Sequence, residues 1–176
     1  MPSIIQPPTI EPLGSHHDRA AFTCGKAPLD NYLSRQARQD MERMVSVTYV
    51  LLGTGPGEVA GYYTLSATSV LLDDLPTDVA KRLPRYPAVP ATLLGRLAVA
   101  TAYRGHRLGE LLLMDALRRS LGNSRTIGST AVITDAKDGD AQRFYEKYGF
   151  RTFEGIPRRL FLPMATVKEL FRTESP

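Results

Sequence analysis

A single cysteine, Cys24, stands in 176 residues. An internal disulfide framework and a multi-cysteine zinc site are therefore excluded. Apolar runs stop at about five residues, far short of the ~20 that a membrane-spanning helix needs. The first twelve residues lack a basic segment followed by an apolar one, so they do not read as a secretory leader, and a reducing cytoplasm is the expected location. No internal repeat or low-complexity tract occurs. What remains is ordinary globular composition, 43% hydrophobic and 23% charged, in a length that suits a single domain over residues 1–176. A chain of this size can bury a core large enough to fold without a metal or disulfides.

Charge is uneven along the chain. Residues 1–95 carry 8 basic and 9 acidic side chains, whereas residues 96–176 carry 14 and 9. Of the 22 cations 17 are arginine, whose planar donor fork suits phosphate better than the point charge of lysine. A basic second half hints at a phosphorylated partner, although a solvated surface rich in arginine would look the same.

Residues 1–10 read as an extended lead-in broken by proline. Pro28 opens a helix, and Leu29, Tyr32, Leu33, Gln36, Ala37, Met41 and Met44 follow at helical spacing. Val45–Leu52 alternates, with Val45, Val47, Tyr49 and Leu51 on the face expected to be buried. Gly53–Gly57 is a turn into a second strand, 58–67, and a short helix is expected near Pro76–Arg82. A strand over Thr92–Ala100 leads through a loop to a helix, 110–121, stopped by Gly122. A strand at 129–134, a helix at 139–148 capped by Gly149, strands at 150–153 and 159–163, and a last helical turn at 167–171 complete the order. Residues 172–176 should fray. The expected architecture is one mixed, mainly antiparallel sheet of six or seven strands with helices on both faces, α/β or α+β in class.

Two segments carry the chemistry. In Tyr103-Arg104-Gly105-His106-Arg107-Leu108-Gly109, two glycines and two arginines lie between a strand end and a helix start. Backbone N–H groups there join the helix dipole to make a seat for an anion, and glycine lets the backbone approach closely. The spacing is not the nucleotide P-loop, since no Gly-Lys-Ser/Thr follows, and it is not the dinucleotide fingerprint. Taken alone it is equally a tight strand-to-helix turn. In Ala141–Phe150, Tyr145 is either a core aromatic or a phenol placed to donate a proton to a leaving group.

Leu97-Ala-Val, Arg104-Gly-x-x-Leu-Gly109, the following helix and strand, and Phe144-Tyr145-Glu-Lys-Tyr-Gly149-Phe150 together resemble the GNAT (GCN5-related) N-acetyltransferases. Their acetyl-CoA motif is Arg/Gln-x-x-Gly-x-Gly/Ala. Arg104 and Gly109 match its ends, and Arg107 replaces the middle glycine. Asp138 stands where the family often has asparagine. Phe22-Thr-Cys-Gly, Leu29-Asp30-x-x-Leu33, Gly95-Arg96-Leu-Ala-Val and Arg159-Leu-Phe-Leu-Pro-Met are similar to the TacT/AtaT-like toxin branch. That resemblance covers about residues 10–165.

The resemblance implies an acetyl-CoA-dependent transfer to the α-amino group of aminoacyl-tRNA, with no metal. It also implies a ribbon–helix–helix antitoxin and a homodimer, with no membrane partner. It places Leu97, Ala98, Val99, Arg104, Gly105, His106, Arg107, Leu108, Gly109 and Asp138 at the acetyl-CoA, and Tyr145 beside the departing sulfur. Cations available for tRNA are Arg35, Arg38, Lys81, Arg82, Arg85, Arg96, Arg158 and Arg159. Arg96 is the most telling, because it interrupts an apolar strand and must meet a carboxylate or open onto a cleft. The alternatives are a GNAT acetylating a small amine or a lysine, and a CoA- or RNA-binding module without turnover. His16 and His17 are expected at the surface, His106 in the anion loop, and Cys24 as a packed thiol. Asp135, at a strand end, either touches substrate or caps a turn.

Overall fold

The computed structural model describes residues 7–172. The part of the expected lead-in before Pro7, and the tail after Arg172, lie outside the described residues. Seven strands form one sheet in the order β1-β2-β3-β4-β5-β7-β6. They are β1 (Ile10–Pro12), β2 (Val47–Leu52), β3 (Val59–Leu71), β4 (Ala88–Val99), β5 (Ala131–Asp135), β6 (Arg151–Phe153) and β7 (Ile156–Pro163). The pairs β1–β2, β2–β3, β5–β7 and β6–β7 are antiparallel, and β4–β5 is parallel. The helices are α1 (Ala27–Asn31), α2 (Ala37–Glu42), α3 (Thr77–Ala80), α4 (Leu108–Asn123), α5 (Gly139–Lys147) and α6 (Met164–Arg172). None among the described residues is long and apolar enough to cross a membrane.

Contacts divide the chain into two compact units. In the first, residues 1–66 with 95–116, the core is Leu33, Leu51, Tyr62, Tyr63, Tyr103 and Leu112. Its tyrosines keep their hydroxyls paired, as buried phenols must. Tyr63 donates to Asp115 at 2.6 Å, Tyr103 to Glu58 at 2.7 Å and Tyr62 to the Leu29 carbonyl at 2.7 Å. In the second, residues 67–94 with 117–176, Val70, Leu75, Val89, Ala91, Ala131, Ile133, Phe153 and Phe161 form one apolar cluster. Phe153 and Phe161 meet edge to face at 5.0 Å.

The helix that Pro28 opens is not regular. Between α1 and α2 lies a π-helical turn, Tyr32–Gln36, closed by the Ala37 N–H on the Tyr32 carbonyl. A wide turn of this kind rotates every later residue off the helical repeat. Leu33 and Ala37 are fully buried as expected, but Met41 is only partly covered and Met44 is 91% exposed at a φ of +58°. The face of the next strand is also inverted at its start. Ser46, Thr48 and Val50 are buried, while Val45 and Val47 face outward, because Ser46 pairs with the Tyr32 hydroxyl at 3.0 Å. Gly122 does not stop α4, which runs to Asn123, and α6 begins at Met164. In α4, Leu108, Leu112, Leu113, Ala116, Leu117 and Ser120 are buried, with Leu111 and Met114 at the margins.

His17 is not at the surface. It is 4% exposed, and its Nδ1 accepts the Gly14 N–H at 2.8 Å. The proton is therefore on Nε2, which donates to Glu11 at 2.8 Å. His16, exposed as expected, reaches the same carboxylate at 3.1 Å. The Glu11 carboxyl is held below its ordinary pKa first by His16 and then by His17. Glu11→Ala leaves the buried His17 N–H without an acceptor, and we expect a loss of about 1–3 kcal/mol, read as a drop in thermal midpoint.

Candidate active site

The anion loop lies in the first unit, after a short 3₁₀ turn, Thr101–Tyr103, at the end of β4. Gly105 has a φ of +86°, and an added Cβ would meet nothing within 4 Å. Arg107 has a φ of +56°, so it takes up the left-handed conformation in which the family motif carries glycine. A non-glycine residue pays about 1–2 kcal/mol for that conformation. The substitution thus preserves the path of the loop and adds a cation to it. His106 and Arg107 are exposed, and Leu108 and Gly109 begin α4. The donor set of successive N–H groups and an exposed guanidinium fits a pyrophosphate. Arg104 is partly committed elsewhere, since its Nη2 donates to the Cys24 carbonyl at 2.6 Å. Arg107→Gly is expected to leave stability within about 1 kcal/mol, since relief of strain offsets the entropy of glycine. A several-fold rise in the KM for acetyl-CoA would show that the added cation contributes to binding.

β4 outruns its parallel neighbour. Its parallel ladder with β5 covers Thr92, Leu93 and Leu94. Leu97, Ala98 and Val99 run on past that ladder to the end of the strand. Ala98 is buried, and Leu97 and Val99 are half-buried.

Tyr145 lies on α5 in the second unit. α5 starts where the Asp138 side chain accepts the Ala141 N–H at 2.8 Å, an N-cap that fixes where the helix begins. Asp138, expected at the cofactor, thus also caps this helix. Gly149, at a φ of +95°, turns the chain from the helix into β6. Tyr145 is 6% exposed, packed between Phe144 at 5.2 Å and Phe150 at 5.3 Å. Burial pushes its phenol up to about 12, opposed by a hydrogen bond with Thr134. The Thr134 hydroxyl donates to the Leu94 carbonyl at 2.9 Å, which leaves its lone pairs for the phenol. The group is therefore neutral at physiological pH, with its proton directed at the Thr134 hydroxyl oxygen.

The predicted cations fall into different settings. Arg35 and Arg38 are exposed, and Arg38 pairs with Glu42 at 3.2 Å one helical turn away. Arg85 is exposed. Arg158, at a φ of +63°, donates to the Lys137 carbonyl at 3.1 Å and lines an open groove with Gln142 and Thr152. Arg159 lies 3.5 Å from Asp135, and its Nε has no hydrogen-bond partner. Asp135 therefore lies beside this arginine at the end of β5. Arg96 stacks on the Tyr32 ring, with its guanidinium carbon 3.5 Å from the ring centroid. Tyr32 was read from the sequence only as a core position; its pairing with Arg96 depends on the π turn, which carries no sequence signal. Cys24 is a buried thiol outside any disulfide, as expected.

The acetyltransferase (GNAT) domain family matches residues 50–152, and the chain belongs to this family. It is similar to a probable toxin TacT of Sinorhizobium fredii, 32% identical over 92% of this chain and 93% of that one. It is also similar to a tRNA-acetylating toxin of Mycobacterium tuberculosis, 33% identical over 87% of this chain and 90% of the other. Among solved structures, AtaT complexed with acetyl-methionyl-tRNAfMet superposes with a TM-score of 0.86 at 28% identity, covering 93% of this chain and 99% of that one.

Proposed function

We propose that the protein is an acetyl-CoA-dependent toxin that acetylates the α-amino group of aminoacyl-tRNA and so blocks translation. The observation that carries the chemistry is the buried, neutral Tyr145 phenol. The substrate class follows from likeness to tRNA-acetylating toxins along almost the whole chain. Acetyl-CoA supplies the acyl group as a thioester. Leu97, Ala98 and Val99 offer strand N–H and C=O groups to its pantetheine arm, as a sheet edge takes an added strand. Arg104, Gly105, His106, Arg107, Leu108 and Gly109 hold its pyrophosphate by backbone donors and charge. Tyr145 gives its proton to the departing sulfur, since a thiolate of pKa about 8.5 leaves poorly unaided near neutral pH.

The attacking amine needs no dedicated base. An aminoacyl ester titrates at or below the free α-amino value of about 8, so a useful fraction is already neutral. The same reading puts residues 1–176 to work as one domain in the cytoplasm, as a homodimer held in check by a ribbon–helix–helix antitoxin. A solved structure of AtaT bound to the C-terminus of the antitoxin AtaR, 25% identical to this chain, supports an antitoxin partner. The test is transfer from labelled acetyl-CoA to total charged tRNA. Label on charged but not deacylated tRNA supports the reading. Label on polyamines or peptides, with none on charged tRNA, overturns it.

A further inference from the structure

Arg96 is half-buried on β4, and the face of its guanidinium lies against Tyr32. Tyr32 is fixed from below. Its hydroxyl donates to Asp40 Oδ2 at 2.8 Å and sits 3.0 Å from Ser46 Oγ, while Gln36 Nε2 donates to Asp40 Oδ1 at 2.9 Å. The π turn, Tyr32–Gln36, supplies both Tyr32 and Gln36 to this arrangement. The nearby acid takes its hydrogen bonds on both oxygens from groups other than Arg96, and meets the Arg96 charge only through space. Among the described residues nothing accepts a hydrogen bond from the Arg96 guanidinium.

A half-buried charged fork with idle donors is costly unless an anion meets it. An arginine pressed flat on an aromatic ring presents its N–H edge as a rigid fork, which matches two phosphate oxygens. Its place in the strand is also telling. Arg96 precedes Leu97, the first of the proposed pantetheine residues, by one residue, about 3.3 Å of strand. An anion held there adjoins the proposed pantetheine strand.

We propose that Arg96, held flat on Tyr32, anchors the phosphate at the 3′ end of the aminoacyl-tRNA acceptor strand, with Tyr32 as its positioning residue. This rests on the substrate reading given above, and it names the contact that places the charged end. Asp40 and Ser46 lock the ring, the ring fixes the plane of the guanidinium, and the guanidinium fixes the phosphate.

The test is steady-state acetylation of aminoacyl-tRNA by Arg96→Ala, Arg96→Lys, Tyr32→Phe and Tyr32→Leu. Anisotropy of a labelled short RNA ending in CCA is measured in parallel. Arg96→Ala should raise the KM for aminoacyl-tRNA about tenfold or more, the scale of a lost charged hydrogen-bond pair, and weaken RNA binding similarly. The KM for acetyl-CoA should stay within about twofold. Arg96→Lys should restore only part, because it keeps the charge and loses the fork. Tyr32→Leu should follow Arg96→Ala, and Tyr32→Phe, which keeps the ring, should give a smaller rise. A rise in the KM for acetyl-CoA instead, equal effects of the two Tyr32 variants, or a lower melting temperature with unchanged KM would each overturn the proposal. If the protein binds the RNA through Arg96 yet labels no charged tRNA, the substrate reading fails and the anchor stands. If it labels charged tRNA with an unchanged KM in Arg96→Ala, the anchor alone fails.

Discussion

Tyr145→Phe is expected to lower kcat by about 10²–10⁴-fold, the usual contribution of a positioned proton donor. The KM for acetyl-CoA should change little, because the ring and its packing against Phe144 and Phe150 are kept. The fold should also survive. Thr134 retains its bond to the Leu94 carbonyl, so the lost partner leaves no buried donor unpaired, and the cost should be about 1 kcal/mol. Loss of activity with an intact melting curve assigns the effect to the proton. Alkaline stability gives a second readout. The folded phenol is raised to about 12, so the native state holds its proton over a range where the unfolded chain, near 10, has lost it. That contribution is present below pH 10 and is lost as the pH rises through about 12. Tyr145→Phe should therefore flatten the alkaline fall of the melting temperature relative to wild type. A variant with wild-type kcat would remove Tyr145 from the mechanism.

Much of this site was legible because it is built from local signals. Gly149 marks the end of α5, and the aromatic run around Tyr145 marks its buried face. Arg104–Gly109 sits between a strand and a helix, as its glycines imply. What the sequence hid is non-local. No residue pattern announces that Ala37 will bond to Tyr32 across an extra residue, yet that turn sets the face of Tyr32 and leaves Met44 outside. His17 looked like part of a polar loop because its partners, Gly14 and Glu11, satisfy it in a way only three-dimensional placement reveals. The β1 strand escaped notice for a similar reason. It is three residues long and ends in Pro12, so only its pairing with Tyr49–Leu51 makes it a strand. Arg96 was flagged by its cost in an apolar strand, and the structure lays one face of its guanidinium on a ring and leaves it half-buried, with its N–H groups unmatched among the described residues.

Gly61→Ala is expected to damage both stability and donor binding. Gly61 pairs with Leu51 next to an irregularity in the β2–β3 register. A Cβ built there would lie 2.8 Å from Leu112 Cδ1 and 2.9 Å from the Ala98 carbonyl oxygen. The leucine tip can rotate away. The carbonyl moves only if β4 moves, and Ala98 is one of the proposed pantetheine residues. Forced overpacking of this kind costs about 1–3 kcal/mol. For a chain of this length each kcal/mol lowers the melting temperature by about 2–4 °C. Because the displaced strand is the proposed donor edge, the KM for acetyl-CoA should rise together with that loss. Gly122→Ala is the matched control: it lies within α4, a Cβ there meets nothing within 4 Å, and alanine favours helix by up to about 1 kcal/mol. A rise in KM confined to Gly61→Ala would tie the close approach of β3 to the shape of the donor strand. Equal melting and equal KM in both variants would mean that β4 yields freely at Ala98, and would remove the rigid edge on which the proposed pantetheine contact depends.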